Sequence, residues 1–259
     1  MSDFGNYSNP AQAGSLEATD PGLRKFMIGV YQKMGLGLVL AAVLAWLTSS
    51  FDPVTDLLFV RTATGSLAGF TLLGMIISFA PLIIILGSNF MMRRASAVGS
   101  NLLFWVLVSL IGASLGTVVL MYSGASVAST FLITAASFGG LSLIGYTTKR
   151  NLSGLRAFCV FATWGLVITF LVASFLPALG ANFGTFSVGP LFWIMNAAGV
   201  LLMAGLITAE TQHLKMIYYS VQGDPAAVSA ATSEGALSLF IAFVNMFRFL
   251  LYFLGGRRD

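Results

Sequence analysis

The chain is poor in charge. Of its 259 residues only 8% are Asp, Glu, Lys or Arg, against 57% hydrophobic residues and a mean hydropathy of +0.90. A water-facing globule carries about 25% charged residues, so a soluble surface is excluded and an integral membrane protein is expected. Cysteine is nearly absent. Cys159 stands alone, which rules out an internal disulfide and any Cys/His metal cluster. There is one histidine, His213, with no second histidine and no cysteine nucleophile beside it. HExxH and Gly-rich phosphate-loop motifs do not occur. No Ser/His or Asp/Asp pair lies within the apolar runs as intramembrane proteolysis would need, so no catalytic residues, metal or cofactor are expected and the protein is not read as an enzyme. The last apolar run has no lysine, which excludes a retinal Schiff base there. The N-terminus lacks the basic start and apolar core of a secretory signal. Residues 1–23 are polar, with scattered Pro, Gly, Ser and Asn, and read as a disordered cytosolic tail.

What is present is a succession of apolar runs near the roughly 20 residues that span a bilayer. Windows at 27–50, 66–88, 99–122, 125–147, 155–177, 190–212 and 235–254 give seven predicted transmembrane helices in one membrane domain, 24–259. Basic residues gather at one side of this arrangement: Arg24, Lys25, Lys33, Arg93, Arg94, Lys149, Arg150, Arg156 and Lys215. The positive-inside rule places that side, and the N-terminus, in the cytosol. The net charge of +4 then reflects loop topology rather than nucleic-acid binding. Arg257 and Arg258 pull the other way for the C-terminus, which an odd number of spans would leave outside. Gly65-xxx-Gly69 and Gly112-xxx-Gly116 have the spacing that lets helices approach closely.

Three polar residues interrupt the last two runs. Glu210 lies twenty residues beyond Pro190, about 30 Å along a helix, which puts it near the cytosolic edge of the hydrocarbon. It is either an interfacial acid paired with His213, Lys149 or Arg150, or, if its helix continues toward Tyr219, an acid enclosed by the bundle. An enclosed glutamate could bind a cation, and its protonation could act as a switch. Asn245 and Arg248 share a face of helix seven. An arginine at that depth either snorkels to an interface or finds a partner as counter-ion or barrier in the interior. The load of polar residues on helix seven favours an interior position. Asn101 and Asn196 are expected to make interhelical hydrogen bonds.

The stretches GYTTKRNLSGLRAF (145–158), MAGLITAETQHL (203–214), the Gly223–Asp224 pair and ALSLFIAFVNMFRFLLYFLG (236–255) together resemble the Bax inhibitor-1 family, in a bacterial-looking version. LRKFMIGVYQKMGLGL also looks like that family's first helix, so the resemblance covers 24–255. It implies an all-α integral membrane fold of seven transmembrane helices with helix seven central in the bundle. It implies a cation leak, chiefly of calcium, that senses pH through two acids sharing a proton. The helix-six acid falls on Glu210. The helix-seven acid falls on Ala242, and a further acid found in some members falls on Ser238, so this chain has no carboxylate at either helix-seven position. The expected setting is the bilayer of a bacterial inner membrane. Some bacterial members bind and restrain a membrane-bound quality-control protease, which gives a second expected role, that of a non-conducting regulator.

Overall fold

The computed structural model describes residues 20–61, 67–91, 96–175 and 190–256. In lipid no water can satisfy backbone groups, so each spanning segment must close its own hydrogen bonds, and the apolar runs form helices. The described elements are α1 (Pro21–Ser50), α2 (Asp52–Leu58), β1 (Phe59–Arg61), β2 (Leu67–Phe70), α3 (Leu72–Met91), α4 (Ala97–Ser114), α5 (Gly116–Met121), α6 (Gly124–Thr147), α7 (Ser153–Phe175), α8 (Pro190–Val221) and α9 (Pro225–Leu254). Six of these segments are long and apolar enough to cross a membrane, with α4 and α5 forming one broken rod; the apolar stretch of α3, Leu72–Gly87, is shorter. The chain is a multi-pass helical membrane protein.

Several expectations are corrected. The first helix begins at Pro21, inside the stretch read as tail, because Asp20 caps it: its carboxylate accepts from the backbone N–H groups of Gly22 at 2.8 Å and Leu23 at 3.2 Å. Residues 1–19 lie outside the described residues. The last helix begins at Pro225, ten residues before the apolar window, where Asp224 accepts from Ala226 N–H at 2.8 Å. Both starts place Pro in the first turn, where its missing N–H costs nothing. One short hairpin stands among the helices. The segment after α2 pairs as an antiparallel hairpin, Phe59 opposite Phe70 and Val60 opposite Gly69, so Gly69 belongs to a strand; Gly65 lies outside the described residues. Arg93, Arg94, Arg257 and Arg258 lie outside the described residues.

α9 is central among the described elements. It packs against α1, α4, α6 and α8, whereas α7 rests on α8 and α3 on α4. Leu239, Phe240, Ala242, Phe243, Met246, Phe247 and Leu251 of α9 are all buried. Between Ser233 and Phe247 its less covered residues are Glu234, Ser238, Ile241 and Asn245, and the stripe continues to exposed Arg248. A spacing of three and four residues keeps them on one face.

The Gly112/Gly116 spacing does what small residues do in membranes. A Cβ at Gly112 would sit 2.6 Å from Ala41 Cα, and one at Gly116 would overlap the Thr48 hydroxyl. With no hydrophobic drive between helices in lipid, close packing must hold α1 to α4 and α5. Gly112→Val is therefore expected to destabilise the folded chain by about 2–3 kcal/mol through overpacking, measured as lost monodisperse yield and a lower melting temperature in detergent. Gly139→Val, which meets open space, serves as the control.

Candidate functional site

The site forms where α7, α8 and α9 meet. The α6–α7 turn (148–152) is clamped to α8 by Gln212, whose Nε2 donates to Arg150 O at 2.6 Å and whose Oε1 accepts from Leu152 N–H at 2.8 Å. This fixes Glu210, two residues earlier, at the level where α6 ends and α7 starts. α8 continues eleven residues past Glu210, about 16 Å, and α9 rises beside it. Glu210 is thus near the end of its neighbours and yet enclosed, with only 5% of the residue exposed.

Its partner is Arg156, one turn into α7. Nε donates to Oε2 at 2.6 Å and Nη2 to Oε1 at 3.5 Å. The third donor is Ser238 of α9, whose hydroxyl reaches Oε1 at 2.9 Å. A carboxylate with charge-assisted donors on both oxygens is held firmly. Arg156 is 36% exposed while the glutamate side chain is 6% exposed, so the pair reaches from the bundle interior toward its rim. His213 lies close enough to feel both charges. Lys149 and Arg150 are exposed, and the acid's ion-pair partner is Arg156 instead.

From the sequence alone Arg156 reads only as a topology-setting cation. A signal for its role was nonetheless present: a basic residue in the first turn of a helix opposes the helix dipole, so it calls for a specific acid.

Ser238, the position of an absent family acid, is the one that meets Glu210. Ala242 is wholly buried one turn further along. Asn245 donates to Ile241 O in its own helix at 2.9 Å. Arg248 is exposed rather than buried as an interior counter-ion, about 15 Å along α9 from Ser238. The structure therefore does not join Asn245 or Arg248 to the Glu210 site.

A second polar cluster ties α9 to α1 and α4. Lys33 Nζ of α1 donates to Asn101 Oδ1 of α4 and to Ser233 Oγ of α9, both at 2.6 Å, and lies 5.2 Å over the Phe104 ring. Ser100 donates to Glu234 at 2.9 Å. Asn101 thus makes the interhelical bond expected of it. Asn196 bonds Phe192 O at 2.7 Å within its own helix.

Fold and site together define a polytopic helical membrane protein with an ion pair locked against its central helix. Residues 23–259 match the family described as inhibitor of apoptosis-promoting Bax1. The chain is 48% identical to a Caulobacter vibrioides protein over the full length of both, and 36% identical to a Rickettsia prowazekii protein over 93% of each. It is 34% identical to the Escherichia coli inner membrane protein YbhL over 92% of this chain and 94% of that one. The chain belongs to the Bax inhibitor-1 family.

Proposed function

We propose that the protein is a passive cation leak of a bacterial inner membrane, calcium being the favoured ion, with its N-terminus in the cytosol and Glu210 as the gate. The observation that carries this reading is an acid enclosed at the mouth of the bundle and held by a partly exposed arginine. In the closed state Arg156 and Ser238 occupy the carboxylate. Protonating Glu210 removes its attraction for Arg156 and frees α7 from α8; a cation arriving from the cytosol competes with the guanidinium for the same oxygens. One carboxylate and one hydroxyl are few ligands for calcium, which takes six to eight oxygens, so binding is weak and passage brief. Arg248, exposed on the less covered stripe of α9 beyond Asn245, acts as an electrostatic barrier to cations along that stripe.

The test is flux into liposomes holding a calcium dye, with external pH stepped between 8 and 5. Glu210→Gln, which removes the charge that holds Arg156, is expected to leak about tenfold faster than wild type, a coupling of ~1.4 kcal/mol, and to show no pH dependence. Identical flux from Glu210→Gln and wild type at every pH would remove Glu210 from the gate. A second reading, a non-conducting regulator of a membrane-bound protease, is favoured by the absence of a carboxylate at Ser238 and Ala242. Folded protein that passes no ion at any pH from 5 to 8 would select it.

A further inference from the structure

The ion pair explains how one end of the bundle is closed. It leaves unexplained a set of buried polar atoms at the other end. Thr130 of α6 and Asn196 of α8 are both 0% exposed, and neither Thr130 Oγ1 nor Asn196 Oδ1 has a hydrogen-bond partner. An unmet polar atom in a membrane interior costs several kcal/mol, so two of them call for a ligand.

The two residues fall at similar depth. α6 and α8 are neighbours and run in the same direction. The start of each lies at the end of α9: Ser126 Oγ accepts from Gly256 N–H at 3.0 Å, and the Phe192 ring lies 5.3 Å from that of Tyr252. At their other ends Gly145 touches Thr208 and Thr211. Thr130 is fifteen residues before Gly145, and Asn196 is twelve before Thr208 and fifteen before Thr211. At one rise per residue this puts Thr130 and Asn196 within about one helical turn of each other in depth, on two helices that pack together. Thr130 belongs to the buried face of α6 that includes Thr134, Phe138, Ser142 and Gly145. About 12 Å further along that face, Phe138 meets Phe243 of α9 at 5.6 Å and Tyr31 of α1 at 6.3 Å. Beyond this aromatic layer the seam is polar again. The Tyr31 hydroxyl lies by Ser142 and Thr211, while Ser142 Oγ completes no well-formed hydrogen bond.

We propose that Thr130 and Asn196 form an internal site for water or a partly dehydrated monovalent or divalent cation, the outer station of the leak, separated by the Phe138–Phe243 constriction from an inner station at Ser142. Neutral oxygens suit such an occupant: Asn196 Oδ1 accepts from a water or ligates a cation, and Thr130 Oγ1 does either while donating onward. The seam also keeps the passing cation away from Arg248. This assignment rests on the leak reading, and its test is read separately from flux.

In a Cys159→Ala background, Thr130→Cys, Asn196→Cys and Ser142→Cys are exposed to Ag⁺, a thiol-reactive cation of permeant size, added to one side of oriented membrane vesicles. Thr130→Cys and Asn196→Cys are expected to react from the periplasmic side and Ser142→Cys from the cytosolic side alone. With Phe138→Ala added, Ser142→Cys is expected to react from the periplasmic side as well, and calcium flux to rise about tenfold, the equivalent of ~1.4 kcal/mol off one barrier. If one outer cysteine variant fails to insert, the other reads the same site from the second helix. Outer cysteines inert to Ag⁺ from both sides, in protein that elutes as a single species, would overturn the seam even if wild type leaks. Sided labelling in protein that passes no calcium would keep the hydrated seam and overturn the leak.

Discussion

Arg156→Met is expected to lower the stability of the folded protein by about 3 kcal/mol, or roughly 6–12 °C for a chain of this size. The reason lies in what is left behind. Glu210 is 5% exposed, and the substitution leaves its charge with one neutral donor, Ser238 at 2.9 Å. Breaking a buried pair from one side costs 3–5 kcal/mol because an uncompensated charge remains. The lower end applies here, since the arginine itself is 36% exposed and water recovers part of the loss. Adding Glu210→Gln to Arg156→Met is expected to restore most of the stability, because the charge is gone and the Gln oxygen still accepts from Ser238. Melting curves of the two single variants and the double variant in one detergent form the cycle that isolates the pair. Equal melting temperatures for Arg156→Met and wild type would reduce the contact to a surface ion pair and leave the gate without its lock.

Ser238→Asp is expected to make stability depend strongly on pH. The serine hydroxyl already sits at hydrogen-bond distance from Glu210, so an aspartate there puts two carboxyl groups in contact. They cannot both ionise cheaply, and the folded site keeps a shared proton at pH values where the unfolded chain, whose carboxyls lose theirs near pH ~4, has already given it up. The folded state then binds more protons than the unfolded one, and by linkage stability falls as pH rises. The full contribution is present near pH 4 and is lost toward pH 8, by about 2–3 kcal/mol for a displacement of about two pH units. The variant should therefore melt several degrees higher at pH 5 than at pH 8, a gain that wild type lacks. This substitution rebuilds the two-acid arrangement that the family resemblance implies, at the helix-seven position whose side chain reaches Glu210. A pH-independent melting temperature would mean that Arg156 neutralises both acids and that no proton is shared.

Much of the architecture could be read from the sequence because one constraint dominates. In a solvent without water the backbone must bond to itself, so apolar runs of about twenty residues become helices whatever their side chains. The windows from 125–147, 155–177 and 190–212 land on α6, α7 and α8 for this reason. The ends were less legible. α1 and α9 extend beyond their apolar windows because Asp20 and Asp224 cap them in polar sequence, and caps outside lipid do not follow hydropathy. The short hairpin at Phe59–Phe70 escaped the sequence because three or four residues carry no period strong enough to read.

The candidate site divides along the same line. Composition and hydropathy by themselves determined that this is a multi-pass membrane protein, and the motif around Glu210 singled out that acid as the candidate. Whether that acid faced water, lipid or another helix was beyond the sequence, since depth along a helix says nothing of what stands beside it. Only the tertiary structure decided that Arg156, 54 positions away, and Ser238, 28 positions away, close around it. It also decided that Arg248 turns outward, and that the oxygens of Thr130 and Asn196 are buried without a hydrogen-bond partner. Pairings of this kind depend on the rotation and register of packed helices, which are fixed by the fit of many small surfaces at once rather than by any local pattern of residues.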